Sequence, residues 1–367
     1  MRNFFVIRIG LLMALLLLSA CASKSTVQFR NDLWLGWEES DMLMQGDYPD
    51  AIPVLLVHGW NGDESTWPDA KRLLLLEQKL GRDIYYFNYR TGAMPNRYPP
   101  LEAMEEHLER YLKSFPTGVD VVAHSMGGLL VRQYLSHHAG NQIRRLLLLS
   151  VPHYGANGAS ALAEVTAVSA VGNVQVQEIQ PGSDFLWQLN SQEGSELEGV
   201  EVLNAYTTSE SSFNSDMVVD PLSAWLPWAA NISLEGDHHA LASKLDRYPF
   251  MADFLQTGQI PTTLATKPEQ RDLWVRIKSK TATPLKFSKT SVKRRSAPSK
   301  EWGYVGLEIC CDQRSSMYDK GGVTVIATDI KKGEQLQFLD RSLARTKATI
   351  ITVPSKLTLP ITLLDQN

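Results

Sequence analysis

The chain has 367 residues, a length that suits one large domain with a small companion, or two medium ones. Hydrophobic residues at 44% and charged residues at 21% exclude a disordered chain, which could not bury enough apolar surface to fold. The formal net charge of −4 gives no sign of a nucleic-acid partner, and the three cysteines show no metal-ligand spacing.

Arg2 and Arg8 flank the start of IGLLMALLLLSAC, an apolar run that ends in small residues and a cysteine. Apolar residues 9–18 fall short of the ~20 that a spanning helix needs, and the flanks are those of a secretory signal. The stretch LSAC, residues 18–21, resembles the lipobox of bacterial lipoproteins. That resemblance implies a signal peptide over 1–20, acylation of Cys21 and attachment to a membrane; a plain signal peptide cut nearby is the blander reading. Ala22 stands where inner-membrane lipoproteins often carry aspartate, so the expectation favours the outer membrane over the inner. Residues 21–49 read as a tether and lead-in, with Trp34 and Trp37 expected to pack on the body.

From residue 50 the pattern alternates. IPVLLVHG is a strand, WPDAKRLLLLEQKL a helix, DIYYFNY a strand, PLEAMEEHLERYLKSF an amphipathic helix and VDVVA a strand. MGGLLVRQYLSHHA then reads as a helix and IRRLLLLSVP as a strand. Strands that are apolar throughout, alternating with helices, predict an α/β domain over 50–260 with a doubly wound, mostly parallel sheet covered on both faces. Residues 155–198 break the rhythm and are expected to form a cap. GVEVLNAYT (strand), PLSAWLPWAAN (helix), ISLEG (strand) and HALASKLDRYPFMADFL (helix) resume it.

From about 265 the segments become short, β-rich and separated by turn signals, which predicts a small all-β domain over 265–367 with TSVKRRSAPSK as a polar loop. This region holds 19 Lys+Arg against 10 Asp+Glu, leaving 17 against 30 in residues 1–264. The asymmetry points either to docking between the two parts or to a basic face for an anionic surface. Cys310 and Cys311 are adjacent and could bond each other only through a strained ring, so two buried thiols or one reactive thiol are the simpler readings.

The segment AHSMG, residues 123–127, sits between strand VDVVA and helix MGGLLVRQYL. A serine on such a strand–turn–helix corner is exposed as a nucleophile, and the residues two before and two after it must be small. Ala123 and Gly127 satisfy this, with alanine replacing the more usual first glycine. The helix start beside Ser125 offers backbone N–H groups to a developing oxyanion: one from Met126, the other from Trp60 in the loop LVHGWNGDESTW. The base must come from a later loop. His124 adjoins the serine and cannot reach back to its hydroxyl, while His107, His137, His138 and His153 read as surface or packing residues. NISLEGDHHAL leaves His238 and His239, and Leu241 at helical spacing favours His238. An acid between serine and histidine is offered by Asp216 and Asp220. Asp220 precedes a proline as a helix N-cap, which gives it a structural task and makes Asp216 the candidate.

LVHGW, AHSMGG, SVPHYG, QPGSDFL, SDMVV and DHHAL together resemble the α/β-hydrolase family, within it the triacylglycerol lipase and PGAP1-like esterase group, over about residues 50–256. The resemblance implies ester hydrolysis without metal or organic cofactor: Ser125 attacks, His238 shuttles the proton, Asp216 orients it, and Trp60 and Met126 hold the oxyanion. It implies a lipid or other ester as substrate. An acyltransferase with the same triad and a catalytically silent binding lipoprotein on this scaffold are the alternatives. Oligomeric state is not legible in the sequence.

Overall fold

The computed structural model describes residues 28–30, 46–91, 98–156, 174–208, 219–265, 270–279, 290–304, 307–309, 323–340, 349–353 and 358–363. Cys21, Asp216, Trp34, Trp37, Cys310, Cys311 and the stretch 157–173 of the expected cap lie outside them.

Seven strands form one parallel sheet: β1 (Gln28–Arg30), β2 (Val54–Val57), β3 (Ile84–Asn88), β4 (Val119–His124), β5 (Ile143–Leu149), β6 (Glu201–Thr208) and β7 (Ala230–Glu235), in the order β1-β3-β2-β4-β5-β6-β7. Side chains alternate across each strand, and both faces are covered. Leu55, Val57, Val121, Ala123, Leu146 and Leu148 join one core; Val54, Leu56, Val122, Leu147 and Leu149 join the other. β1 lies within the expected tether, yet it adds an edge strand, Gln28 pairing with Tyr86.

The helices over the sheet are α1 (Ala70–Leu80), α2 (Leu101–Leu112), α3 (Met126–His137), α4 (Val174–Glu178), α5 (Asp184–Ser191), α6 (Pro221–Ala224), α7 (Ala240–Ser243) and α8 (Pro249–Thr257). Asp69 caps the start of α1 by accepting the Arg72 N–H, and Leu73, Leu76 and Leu80 are its buried face. Among the described residues no helix is long and apolar enough to cross a membrane.

Two expected helices are broken. PLSAWLPWAAN is helical only through α6, because the Asn231 side chain takes over the backbone groups that follow. Its amide donates to the carbonyls of Leu226 and Ala229, and its oxygen accepts the Leu226 N–H. HALASKLDRYPFMADFL divides into α7, a short 3-10 turn (Leu245–Arg247) and α8, with Pro249 opening the last piece.

The C-terminal region forms two four-stranded sheets from β8 (Gln270–Ser279), β9 (Thr290–Arg295), β10 (Gly303–Tyr304), β11 (Leu307–Ile309), β12 (Val323–Lys331), β13 (Gln335–Asp340), β14 (Thr349–Thr352) and β15 (Thr358–Leu363). One runs β10-β9-β13-β14 and the other β11-β12-β8-β15, with β15 parallel to β8 and the other pairs antiparallel. Strand β9 corrects the loop reading of TSVKRRSAPSK for its first six residues, while SAPSK, residues 296–300, does form a turn. The strand pairs on both sides, and Arg295 lies 4.4 Å over the Trp302 ring while its Nε donates to Gln335, so the charge does not force the segment into solvent.

The opposite end of the parallel sheet is tied by a buried charge cluster. Asp120, at the start of β4, accepts bonds from Arg82 at 2.7 Å and from Arg144 at 2.9 and 2.7 Å, and is fully buried. Arg82 also donates to the carbonyls of Ile52, Pro53 and Leu255, joining the loop before β2 to α8.

Candidate active site

Ser125 links the end of β4 to the start of α3 at φ 52°, ψ −130°, a left-handed conformation that costs a serine strain and turns its side chain out of the strand path. The tightness of this corner explains the small residues around it. A Cβ on Gly127 would collide with the carbonyl oxygens of Val57 and His58, and one on Gly59 would come within 2.7 Å of the Ser125 Cβ. Ala123 is fully buried where β4 meets β2.

The loop from β7 to α7 brings His238 to the serine: its Nε2 lies 2.9 Å from Ser125 Oγ, across 113 positions of sequence. Both residues are buried. His239 instead occupies the cap position of α7 and its N–H donates to the Asp237 carboxylate. Of the two adjacent histidines, His238 is the one whose ring the structure brings to the serine hydroxyl. Asp216 belongs to the stretch 209–218 between β6 and Val219, outside the described residues. Asp220 accepts the Leu222 N–H at 2.8 Å with Pro221 as the first helical residue, the N-cap that its sequence context predicts.

Met126 is the first residue of α3, so its N–H has no acceptor within the helix. The loop carrying Trp60 is fixed by His58. The Tyr89 N–H donates to His58 Nε2 at 3.2 Å, which puts the ring proton on Nδ1, where it donates to the Gly59 carbonyl at 2.9 Å. The two rings stack at 4.4 Å, and the Tyr89 hydroxyl donates to the His58 carbonyl at 2.8 Å. Burial pulls His58 down to about 4, so it stays neutral. Trp60 is half-buried against the core, and its Nε1 is buried without a partner among the described residues.

His153, read from the sequence as a packing or surface residue, sits in a buried polar relay. Arg132 of α3 donates to Glu196 at 2.6 Å and to His153 Nδ1 at 3.2 Å. His153 Nε2–H then donates to Asn204 Oδ1, and the Asn204 amide to Asn231 Oδ1. The Asn190 amide donates to the His153 carbonyl at 2.7 Å. Burial first, then the Arg132 charge, holds His153 well below the usual histidine range. The relay knits α3, α5, β6 and the loop after β5 into one piece, so the described part of the expected cap is packed into the body. No periodic signal in the sequence marks these residues, since they meet from six separate segments.

A strained serine between a central strand and a helix, facing a histidine from the last sheet loop, is the arrangement of the α/β hydrolases, and the family model described as "Alpha/beta hydrolase family" matches residues 54–286. The chain belongs to that family. Among solved structures, phospholipase PlaB from Legionella pneumophila shares the fold at 13% identity and TM-score 0.58, over 86% of this chain and 94% of that one. The mature lipase BlEst2 from Bacillus licheniformis aligns at 21% identity and TM-score 0.46, over 56% of this chain and 93% of that one. Comparison with curated protein sequences finds no match. Among the described residues, no group of three or more His, Cys, Asp or Glu side chains is arranged to hold a metal ion.

Proposed function

We propose that the protein is a serine esterase or lipase of the triacylglycerol lipase and PGAP1-like group, hydrolysing carboxylic esters through a Ser125–Asp216–His238 triad. The observation that carries this reading is the 2.9 Å approach of His238 Nε2 to Ser125 Oγ, with the serine strained at φ 52°. In the first step Ser125 Oγ bonds to the ester carbonyl carbon and its proton passes to His238 Nε2. The carbonyl π electrons move onto oxygen, where the N–H groups of Met126 and Trp60 stabilise the negative charge. Collapse re-forms the carbonyl, breaks the bond to the leaving alcohol and returns the proton from His238 to that alcohol. Water then repeats the sequence on the acyl-enzyme and releases the acid.

Asp216 is the candidate acid because its stretch follows the end of β6, whose Thr208 pairs with Glu235 just before the loop that carries His238. The name of the Legionella neighbour makes phospholipid esters the first lipid class to assay. Acylation of Cys21 would place this activity at a bacterial membrane, with the outer membrane favoured. Each fatty CH₂ adds about 0.8 kcal/mol to membrane binding, so a triacylated chain would not dissociate.

A fluorophosphonate probe tests the chemistry: the wild-type protein should be labelled and Ser125→Ala should not. Equal labelling of the variant would remove Ser125 from the mechanism. For the anchor, Cys21→Ser should stop lipoprotein maturation. Activity that salt washes off wild-type membranes would mean an electrostatic attachment instead.

A further inference from the structure

We propose that His124, the residue before Ser125, is a positioning residue that holds the loop presenting the base to the nucleophile. The inference rests on reading Ser125 and His238 as nucleophile and base. His124 is buried at the end of β4, and its Nε2 lies 2.9 Å from the main-chain carbonyl oxygen of His238. A carbonyl only accepts, so Nε2 carries the proton and Nδ1 is bare. Nδ1 is buried and has no partner among the described residues. A Cβ on Gly59 would come within 3.2 Å of it, so the ring fills the space between the oxyanion loop and the loop of the base. Its centroid lies 4.9 Å from that of His238 and 5.6 Å from that of His239.

An apolar side chain would fill this space and avoid the unpaired Nδ1, which is a cost to stability, but it would leave the His238 carbonyl without this donor. The imidazole is therefore explained by what Nε2 does. It ties the backbone of the base to the residue covalently joined to the nucleophile, so the Oγ–Nε2 approach is set by one rigid ring. Burial, followed by the neighbouring His238, holds His124 well below the usual histidine range, and His239 and His58 act in the same direction. The donor is thus a neutral imidazole throughout the neutral pH range.

The test compares H124M, which fills the site without a donor, with H124Q, whose amide N–H can reach the same carbonyl. In the full chain, H124M should lose on the order of 10²-fold in kcat on a water-soluble p-nitrophenyl ester, because small misplacements of a base cost that much. KM should stay within about twofold, and the rate of fluorophosphonate labelling should fall with kcat. H124Q should regain about tenfold or more of the loss, as rescue of a single positioned bond requires. If H124M fails to fold, H124N against H124Q supplies the same contrast, since the shorter amide falls short of the carbonyl. Wild-type kcat and labelling in H124M, or no advantage of H124Q over the donor-deficient variant, would overturn the role of His124 alone. A wild-type protein that takes no probe would overturn the serine-hydrolase reading and this inference together.

Discussion

The indole of Trp274 meets the ring of Tyr154 edge-on, with centroids 5.5 Å apart and planes at 80°. Trp274 comes from β8 of the C-terminal region, Tyr154 from the loop after β5, and the indole is buried in the same core as Leu186, Trp187, Leu197 and Leu226. The sheet that contains β8 is thereby docked on the hydrolase body, at the residue after His153 of the polar relay. Trp274→Ala should cost about 3–5 kcal/mol, the usual range for emptying a buried aromatic site. Urea unfolding measures it; a midpoint unchanged from wild type would mean that the docking contributes nothing to stability.

The two aspartates should separate by phenotype. Asp220→Ala removes an N-cap and should lower stability by about 1 kcal/mol while ester turnover persists. Asp216→Asn should leave stability nearly unchanged and reduce kcat on the order of 10⁴-fold, as loss of the orienting acid does in serine triads. Thermal melts and p-nitrophenyl ester kinetics on both variants check this. The reverse pattern would reassign the acid to Asp220.

At the far end of the sheet, Asp120 neutralises Arg82 and Arg144 where water does not reach its carboxylate. Asp120→Asn would leave those guanidinium groups facing an uncharged amide, with Arg82 buried. Breaking a buried pair from one side costs about 3–5 kcal/mol, so the variant should unfold at markedly lower denaturant. Labelling of Ser125 in the fraction that remains folded should be unaffected, because the cluster lies at the opposite strand ends.

Acid should destabilise the protein through its buried histidines. His58 has a folded value of about 4 against 6.5 when exposed, so between these values the unfolded chain binds the extra proton. The stability contributed by keeping His58 neutral is complete above pH 6.5 and is lost as pH falls toward 4, about 3 kcal/mol in all. His124 and His153 act in the same direction. Glu178 opposes them: burial raises it to about 7, so its protonated form favours the folded state below that pH. His58→Gln keeps an acceptor for the Tyr89 N–H and removes the titration. Its unfolding free energy should fall less steeply than wild type between pH 6.5 and 4, by up to about 1.4 kcal/mol per pH unit. Parallel curves would show that His58 does not titrate on unfolding.

Local patterns carried much of the architecture. The continuous apolar runs around Val54, Val119 and Ile143 announce strands buried on both faces, because a sheet covered by helices has no solvent side to require polar alternation. The corner AHSMG is similarly readable, since steric crowding at Gly127 acts over a few residues. Where side chains or neighbouring strands compete for the backbone, local reading failed. Asn231 ended the expected helix after Ala224, and pairing with β13 and β10 made a strand of the charged segment at Lys293–Arg295.

By itself, the sequence determined the strand–helix alternation, the serine corner, the Asp220 cap and the two-part division of the chain, all of which depend on neighbours within a turn or a strand. Only the tertiary structure decided that His238, not His239, meets Ser125, that His124 holds the carbonyl of His238, and that Trp274 is sealed against Tyr154. These contacts join residues more than a hundred positions apart. A periodicity of two or 3.6 residues tells which face a side chain occupies, whereas strand order and loop path determine which distant side chain it meets.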